Sequence, residues 1–364
     1  MRTHGGNPWE LMREQGVPKE QILDFSVDVN PLGFPAAIRS VILDHVDDIR
    51  WYPDPNAQEL RETIAAYHRV PVEAILAGNG AAELITLLAR IRHVKKALLV
   101  VPTFGEYEWA IEQVGATRVL VHTAETKGFR LEVAREDWAQ SLEHGALAFL
   151  CNPNNPTGVV TPRADVLALA QRCLEGGTRL VIDESFAEFL EQPDDASVIP
   201  EAIRLGNVVV LRSLTKFFAI PGLRLGYLVA APSIVETLRA LQPAWPLNTF
   251  ALAVGAQLFK EREYMVRSRH AIAGYRDELQ RSLSTIPGLH LFASTTNFIL
   301  CNLTSPKLTS SALSECLARQ GILIRNCDSF TGLEPGRFIR IAVRTREDNA
   351  RLVEALREAL TDAG

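Results

Sequence analysis

Short apolar runs alternate with amphipathic stretches through the first two thirds of the chain. The runs are rich in Val, Leu and Ile, and they predict strands at residues 97–101, 118–122, 146–150, 179–182 and 207–211. Apolar residues at helical spacing predict helices at residues 55–68, 106–114 and 162–174. Strands that are apolar on both faces and alternate with helices are typical of an α/β domain with a mostly parallel sheet.

The rest of the chain has a different pattern, which predicts a second, smaller domain. Helical patterns dominate from about residue 233, and the long one at residues 252–284 is expected to leave the first domain. Strands are predicted at residues 297–302, 322–325 and 337–343, with a closing helix at 345–360. We therefore expect an N-terminal arm at residues 1–35 that joins the small domain, a large domain at 36–250, and a small C-terminal α+β domain at 251–364.

Composition and charge exclude several classes of protein. The 364 residues are 47% hydrophobic and 22% charged, as in ordinary globular proteins. The formal net charge of −5 disfavours a nucleic-acid binder, and no apolar run approaches the roughly 20 residues of a membrane helix. The first ten residues lack the apolar core of a signal peptide. The five cysteines are scattered, which favours a reducing cytoplasm and offers neither a disulfide framework nor a metal site.

Two loops lie where open α/β sheets bind ligands, next to the carboxyl end of a strand or the start of a helix. Gly-Asn-Gly-Ala-Ala-Glu at residues 78–83 precedes an apolar helix, so its free N–H groups suit a phosphate, with a plain tight turn as the alternative. Cys-Asn-Pro-Asn-Asn-Pro-Thr-Gly at residues 151–158 is a rigid loop that offers the amide of Asn155, with a simple surface turn as the alternative.

A lysine and an aspartate complete the candidate reactive groups. Lys216 lies in an apolar segment beside Phe217, and a lysine among apolar groups has a depressed pKa and can attack a carbonyl. Ser213 and Arg224, in the same segment, suit one phosphate group. Asp183 ends a predicted strand, where its carboxylate either pairs with a protonated ring nitrogen or caps the following turn.

Together these groups meet the requirements of pyridoxal phosphate, which needs an amine for its aldehyde, a phosphate cradle and a carboxylate for its ring nitrogen. Asn-Pro-Thr-Gly ahead of the strand that ends in Asp183, and Ser-x-x-Lys followed by Gly-Leu-Arg-x-Gly, form a specific combination. With these motifs the chain resembles the fold-type I pyridoxal-phosphate enzymes of the class I/II aminotransferase family over nearly its whole length. The resemblance implies a homodimer with pyridoxal 5'-phosphate as its cofactor.

Within that family the chain most resembles the branch of histidinol-phosphate aminotransferases and threonine-phosphate decarboxylases. The segments that resemble the decarboxylases more closely are at residues 4–7, 23–26, 30–33, 211–217, 322–325 and 340–344. The resemblance implies decarboxylation of a phosphorylated amino acid, first of all L-threonine O-3-phosphate in cobalamin biosynthesis. An aminotransferase for histidinol phosphate is the alternative. A nicotinamide dehydrogenase is disfavoured because no strand precedes a Gly-x-Gly-x-x-Gly sequence, and a ligand-sensing module of a transcription regulator because the arm is too short for a DNA-binding domain.

The resemblance also implies roles for individual residues. Lys216 corresponds to the Schiff-base lysine and Asp183 to the partner of the pyridine nitrogen. Phe104 would stack on the cofactor ring, and Asn155 would bond the ring oxygen and lie near the substrate. The residues that would hold the cofactor phosphate are Gly80, Ala81, Ser213, Arg224 and, from the second subunit, Tyr52. The residues that would surround the substrate are Arg340 at its carboxylate and Arg325, His4 and Gly5 near its phosphate.

The chain departs from the family pattern at two positions. Phe186 stands three residues after Asp183, where related aminotransferases carry a tyrosine and the decarboxylases a phenylalanine. Asp28 stands where the decarboxylases place an asparagine near the substrate phosphate. Because a carboxylate repels a dianion unless it is protonated or turned away, Asp28 is expected to influence the choice of substrate.

Overall fold

The computed structural model of the chain describes Gly5 and residues 7–91, 94–133, 146–305 and 307–361. The strands in this part are β1 (Leu23–Phe25), β2 (Ile75–Gly78), β3 (Lys96–Val101), β4 (Thr117–His122), β5 (Leu147–Cys151), β6 (Arg179–Asp183), β7 (Val208–Ser213), β8 (Gly226–Ala230), β9 (Leu289–Leu291), β10 (Phe298–Leu303), β11 (Ile322–Asn326) and β12 (Phe338–Ala342).

The α-helices of the same part are α1 (Pro8–Gln15), α2 (Ala37–Asp44), α3 (Gln58–His68), α4 (Gly80–Ala89), α5 (Gly105–Gln113), α6 (Arg163–Glu175), α7 (Pro193–Ala196), α8 (Ile199–Leu205), α9 (Pro232–Arg239), α10 (Thr249–Leu258), α11 (Arg262–Leu283), α12 (Ser310–Ala318) and α13 (Arg346–Thr361). Short 3-10 turns lie at Lys19–Gln21, Val46–Arg50, Val72–Ala74, Glu125–Lys127, Ala187–Phe189 and Pro221–Leu223.

A seven-stranded sheet forms the larger part of the molecule, in the order β2-β8-β7-β6-β5-β3-β4. The strands from β3 to β7 pair in parallel, and β8 runs antiparallel to both of its neighbours. The five parallel strands are those that the apolar runs predict, and each overlaps its predicted range. The expected α/β fold with a mostly parallel sheet is therefore confirmed.

The apolar character of β3, β5, β6 and β7 follows from burial of the sheet on both faces, whereas the edge strand β4 is largely exposed. Along β3, Leu98 and Val100 belong to one hydrophobic core, while Leu99 and Val101 belong to another. Side chains alternate between the faces of a strand, so the two cores lie on opposite sides of the sheet. Continuous apolar sequence is what such a strand requires.

A second sheet of five strands has the order β1-β11-β12-β10-β9. Strand β1 comes from the first 35 residues and pairs in parallel with β11, with Leu23 opposite Ile322. The N-terminal segment therefore contributes a strand to the sheet of the C-terminal part, although the three domain boundaries themselves stay predictions. The sequence pattern did not predict β1, β2, β8 or β9; β1 and β9 are only three residues long.

The long helical pattern at residues 252–284 corresponds to most of α10 and α11. The helical conformation is interrupted at residues 259–261. There the ring of Phe259 is buried, and its centroid lies 4.8 Å from that of the Tyr67 ring. In α11, Met265 and Ile272 lie in a core of the large sheet, whereas Leu279 and Leu283 lie in the core of the small sheet. One helix thus connects the two cores.

In the described ranges, no helix combines the length and the apolar character needed to cross a bilayer. Those ranges also contain no group of three or more His, Cys, Asp or Glu side chains that could hold a metal ion.

Candidate active site

A cavity of about 810 Å³ opens at the carboxyl ends of the central parallel strands. The ends of three neighbouring strands are level there, because Cys151 of β5 pairs with Asp183 of β6, which pairs with Leu211 of β7. The residues predicted from sequence that line it are Gly5, Asp28, Ala81, Phe104, Asn155, Asp183, Ser213, Lys216, Arg224, Arg325 and Arg340. Gly80 lies beside this cavity, Tyr52 lies elsewhere, and His4 is outside the described residues.

Asp183 is a buried carboxylate held by two donors. The Tyr107 hydroxyl donates to Asp183 Oδ2 at 2.7 Å, and the Ser185 backbone N–H donates to Oδ1 at 2.9 Å. Burial raises the pKa of the Asp183 carboxyl, while the hydrogen bonds from Ser185 and Tyr107 act against that rise. The two donors therefore fix the carboxylate at the floor of the cavity and favour its ionised form.

Tyr107 is a site residue that the sequence analysis missed. It lies in α5, which begins directly after Phe104, and its ring stacks on Phe149 with centroids 5.0 Å apart. Burial raises the pKa of Tyr107 well above its ordinary value, and the neighbouring Asp183 charge raises it further, so the hydroxyl stays a donor. The sequence gives only a weak indication of this role: Tyr107 follows Phe104 by three residues at the start of a helix, which places both on the same side.

Lys216 lines the same cavity, three residues after the end of β7. Burial lowers the pKa of Lys216, and Arg340 and Arg224 lower it further, whereas Asp28 acts in the opposite direction. The flanking Phe217 is fully buried, as the apolar segment predicts. A lysine with a lowered pKa has a larger unprotonated fraction, which is the form that attacks carbonyl carbon.

The start of α4 forms a cradle suited to a phosphate. Gly80 has φ +77°, and a Cβ atom at this position would lie 2.6 Å from Arg224 Nη2. A Cβ at Gly226 would lie 2.8 Å from the backbone nitrogen of Ala81. The start of α4 and the Arg224 guanidinium therefore lie close together because both glycines lack side chains. Ser213, which pairs with Gly226 in the sheet, lines the same cavity. This donor set fits a phosphate dianion.

Arg340 is buried at the other side of the cavity and binds three groups of its own chain. Its Nη2 forms an ion pair with Asp28 Oδ2 at 2.8 Å and donates to the Ser26 carbonyl at 3.1 Å. Its Nη1 donates to Asn155 Oδ1. The Asn155 amide thus turns its oxygen to Arg340, which leaves its nitrogen as the donor for a ligand.

Arg325 lies directly opposite Arg340 across the β11–β12 pair. Its Nη2 donates to the Ser329 hydroxyl at 2.6 Å, and its guanidinium lies 5.1 Å from the centroid of the Phe330 ring. Burial and the charge of Arg340 both lower the pKa of Arg325. Opposite residues in an antiparallel pair share one face of the sheet, so two guanidinium groups face one cavity.

Three further predicted residues have distinct surroundings. A Cβ at Gly5 would overlap the carbonyl oxygen of Ser26, so only glycine fits there. Phe186 is buried with its ring edge against Phe298, at a centroid distance of 5.0 Å. Tyr52 is 79% exposed and stacks on Trp245 at 4.4 Å. Its predicted contact with a partner subunit's cofactor phosphate stays a prediction.

A buried ion cluster, also missed by the sequence analysis, lies behind the cavity. Arg212 Nη2 lies 2.6 Å from Glu184 Oε2, and Arg212 Nη1 lies 3.0 Å from Glu188 Oε1. Arg269 pairs with the second oxygen of Glu188 at 2.5 Å. Since Glu184 follows Asp183 and Arg212 precedes Ser213, this cluster connects the strand ends that carry both residues.

Comparison with known proteins gives one family for most of the chain. The model of the family described as Aminotransferase class I and II matches residues 20–356. A threonine-phosphate decarboxylase from Salmonella typhimurium is 35% identical, over 99% of this chain and 97% of that protein. A putative threonine-phosphate decarboxylase from Caldanaerobacter subterraneus is 38% identical, over 97% and 93%. A histidinol-phosphate aminotransferase from Desulfitobacterium hafniense is 33% identical, over 91% and 90%.

One relative is much longer than this chain. It is the adenosylcobalamin biosynthesis bifunctional protein CobDQ of Leptospira interrogans, which is 35% identical over 97% of this chain. The matched part is 40% of that protein's length.

Solved structures show the same fold. The histidinol-phosphate aminotransferase of Clostridium acetobutylicum has a TM-score of 0.86 and 28% identity, covering 94% of this chain and all of that one. The histidinol-phosphate aminotransferase of Sinorhizobium meliloti, solved with pyridoxal-5'-phosphate, has a TM-score of 0.87 and 23% identity, covering 99% and 95%. The buried amine, buried carboxylate and phosphate cradle of the cavity match the chemistry of that cofactor. The chain belongs to the aminotransferase class I and II family of pyridoxal-phosphate enzymes.

Proposed function

We propose that this protein is a pyridoxal-phosphate-dependent decarboxylase for a phosphorylated amino acid. The substrate that we propose is L-threonine O-3-phosphate, converted to (R)-1-aminopropan-2-yl phosphate in cobalamin biosynthesis. The observation that carries the proposal is the pair of buried arginines, Arg325 and Arg340, opposite each other in the cavity that also holds Lys216 and Asp183. Relatives named threonine-phosphate decarboxylase at 35% and 38% identity support it.

The two guanidinium groups define the charge of the proposed ligand. Like charges opposite each other in a strand pair repel, and burial makes each charge costlier. A ligand phosphate at Arg325 relieves both effects, and a ligand carboxylate can bind Arg340 beside Asp28, which already pairs with it. Arginine binds both kinds of anion in a bidentate way. We assign the substrate carboxylate to Arg340, which lies nearer Asn155 and Asp28, and the substrate phosphate to Arg325 beside Ser329.

The cofactor's place follows from the remaining groups. The cradle of Gly80, Ala81, Ser213 and Arg224 would hold its phosphate, and the ionised Asp183 carboxylate would accept a hydrogen bond from its ring nitrogen and keep that nitrogen protonated. When bound, pyridoxal phosphate supplies an aldehyde that condenses with amines and a ring that accepts the electron pair of the broken bond. Lys216 holds or moves a proton at its Nζ, and burial lowers the pKa of its amine, which enlarges the unprotonated fraction that can accept a proton.

Arg340 selects the bond that breaks, in this proposal. Only a bond that stands perpendicular to the cofactor ring is weakened, and binding energy sets that geometry. A carboxylate held by a rigid, buried guanidinium keeps one orientation. Phe186 offers no hydroxyl at the position where related aminotransferases have a tyrosine, which also favours the decarboxylase.

A second candidate function is an aminotransferase for histidinol phosphate. The observation that favours it is the 33% identity to a relative of that name over 91% of the chain. Both functions require the same lysine, aspartate and phosphate cradle.

The proposal is tested by measuring whether decarboxylation requires the phosphate group of the substrate. Carbon dioxide release from L-threonine O-3-phosphate and from L-threonine would be compared in the wild type, Arg325→Met and Arg319→Met. Truncating one partner of a buried charge pair costs about 2 kcal/mol or more, which is roughly 30-fold. We expect Arg325→Met to lose at least that factor in kcat/KM for the phosphorylated substrate, with Arg319→Met, an exposed arginine, unchanged. Equal rates of carbon dioxide release from both amino acids would reject the proposal. It would also be rejected if neither amino acid released carbon dioxide while the enzyme turned over histidinol phosphate with 2-oxoglutarate.

We also propose a cytoplasmic homodimer with shared sites. Trp51 and Tyr52 are exposed large aromatics that lie next to each other in sequence, and Tyr52 stacks on Trp245, which is also exposed. Exposed aromatic clusters are typical of protein interfaces. This surface supports a contact through which Tyr52 reaches the other subunit's cavity.

A further inference from the structure

Asp28 is a buried carboxylate in the loop after β1, and it faces the substrate end of the cavity. It is 2% exposed, and its Oδ2 lies 2.8 Å from Arg340 Nη2. The charged groups that act on it from the surrounding elements are Arg340 on β12, Arg325 on β11, Lys216 after β7 and Asp24 on β1. Its second oxygen, Oδ1, has no hydrogen-bond partner among the residues that the structure describes.

The Arg340 guanidinium has little free capacity for another carboxylate. One terminal nitrogen binds Asp28 and the Ser26 carbonyl, and the other binds Asn155. Its Nε has no partner in the described part of the chain. A ligand carboxylate therefore reaches Arg340 only beside the carboxylate that is already there. Two carboxylates in one site do not both ionise, because their repulsion raises the pKa of one of them strongly.

Displacement of Asp28 is opposed by the loop that carries it. At one end, Ser26 donates from both its backbone nitrogen and its hydroxyl to Asp24 Oδ1. At the other end, the Asn30 backbone N–H donates to the Lys216 carbonyl at 3.0 Å, and its side-chain amide donates to the Phe217 carbonyl at 2.9 Å. Because both ends of the loop are held, moving Asp28 away from Arg340 would cost these hydrogen bonds, whereas protonation of its carboxylate would not.

We propose that Asp28 occupies the carboxylate site of Arg340 and takes up one proton from solvent when a carboxylate-bearing substrate binds, which makes it a specificity-determining residue. The proposal rests on the assignment of Arg340 to the substrate carboxylate. The proton binds to Oδ1, the oxygen without a partner, and the new O–H donates to the ligand carboxylate. Arg340 then contacts both carboxyl groups, of which that of Asp28 is protonated and that of the ligand is ionised. Burial already raises the pKa of Asp28, which favours this uptake.

Proton uptake makes affinity depend on pH. Above the pKa of Asp28 in the free enzyme, each unit of pH weakens the binding of a carboxylate ligand by up to about tenfold, because one proton must be added. A ligand that lacks the carboxylate shows no such dependence. Asparagine at position 28 retains the shape and removes the proton site, so it removes the dependence and strengthens binding at high pH.

The test uses two ligands that lack an amine and are not turned over. L-Glycerate 3-phosphate has the carboxylate and phosphate of a phosphorylated amino acid, and glycerol 3-phosphate carries a hydroxymethyl group instead of the carboxylate. Calorimetric titration of the holoenzyme between pH 7.5 and 9, in buffers of different ionisation enthalpy, counts the protons bound with each ligand. Because both ligands carry the same phosphate, its own titration cancels.

We expect the wild type to take up about one more proton with glycerate 3-phosphate than with glycerol 3-phosphate. Asp28→Asn should show no difference in uptake, and its binding of glycerate 3-phosphate should be nearly independent of pH. Asp24→Asn is the matched control, since it removes a neighbouring charge but keeps an acceptor for Ser26, and it should retain the uptake.

Two results would overturn the proposal, and they differ from each other. If glycerate 3-phosphate binds more tightly than glycerol 3-phosphate but wild type and Asp28→Asn take up the same number of protons, Arg340 binds the carboxylate and Asp28 does not titrate. If the two ligands bind equally well to the wild type and to Arg340→Met, the assignment of Arg340 is wrong, and the proposed function loses its support as well. The wild-type proton count is decisive even if a variant folds poorly.

Discussion

Tyr107→Phe removes one oxygen atom from the floor of the cavity and should weaken the binding of the cofactor. The hydroxyl donates to Asp183 Oδ2 at 2.7 Å, and both residues are buried. A hydrogen bond to a charged group contributes about 1.5–3 kcal/mol. At about 1.4 kcal/mol for each pKa unit, its loss raises the pKa of Asp183 by about one to two units. Asp183 is then a poorer partner for a protonated ring nitrogen.

The assay is binding of pyridoxal phosphate to the apoenzyme, followed by fluorescence quenching across a range of pH. We expect affinity to fall about 10-fold or more, and the acid limb of binding to move to higher pH by about one to two units. That direction follows because Asp183 must be ionised, and a higher pKa means that it is protonated at higher pH.

Tyr227→Phe is the matched control. Its hydroxyl lies 2.6 Å from His68 Nε2, the residue is equally buried, and it does not line the cavity. This variant should lose stability but keep the cofactor affinity of the wild type. If Tyr107→Phe binds the cofactor with the wild-type pH profile, or if both variants lose affinity equally, the role given to Tyr107 is wrong.

Further variants probe the cradle, the ion cluster and the subunit contact. Gly80→Ala should lower cofactor affinity about tenfold or more through strain at φ +77° and the clash with Arg224, whereas Gly274→Ala, with open space around its Cβ, should not. Arg212→Met should destabilise the protein by about 3–5 kcal/mol in denaturant unfolding, because Glu184 and Glu188 keep buried charges, while Arg346→Met, which breaks an exposed pair, should barely move the midpoint. Tyr52→Phe and Lys216→Ala should each be nearly inactive alone and regain activity after subunit exchange; no recovery despite proven exchange would mean that each site is built from one chain.

The sequence predicted the central parallel strands of the large sheet well because they are buried on both faces, but it missed β2 and β8, which are buried too. Such strands appear as continuous apolar runs, and β3 and β5 to β7 lie within a residue or two of their predicted ranges. The loops at their carboxyl ends could be located for the same reason. Strand β1 was missed because three residues, Leu23–Phe25, carry no periodic signal, and its pairing with β11 depends on contacts nearly 300 residues apart.

The sequence predicted most residues of the candidate site but not the hydrogen bonds and ion pairs between them. Motif spacing located Lys216, Asp183 and Arg224, which the structure places around one cavity. It could not show that Tyr107 bonds Asp183 or that Asp28 binds Arg340, because these pairs are 76 and more than 300 residues apart in the chain. The sequence also could not reveal the buried ion cluster behind the cavity, because buried charged residues cannot be distinguished from surface charges in a sequence.

The central claim is that the cavity removes carbon dioxide from a phosphorylated amino acid rather than its amino group. The most direct measurement is incubation of the holoenzyme with excess L-threonine O-3-phosphate in the absence of any keto acid. We predict many turnovers, with carbon dioxide and phosphorylated aminopropanol formed in equal amounts. A reaction that stops after one equivalent per site, releases no carbon dioxide and resumes only when 2-oxoglutarate is added would contradict the account and identify an aminotransferase.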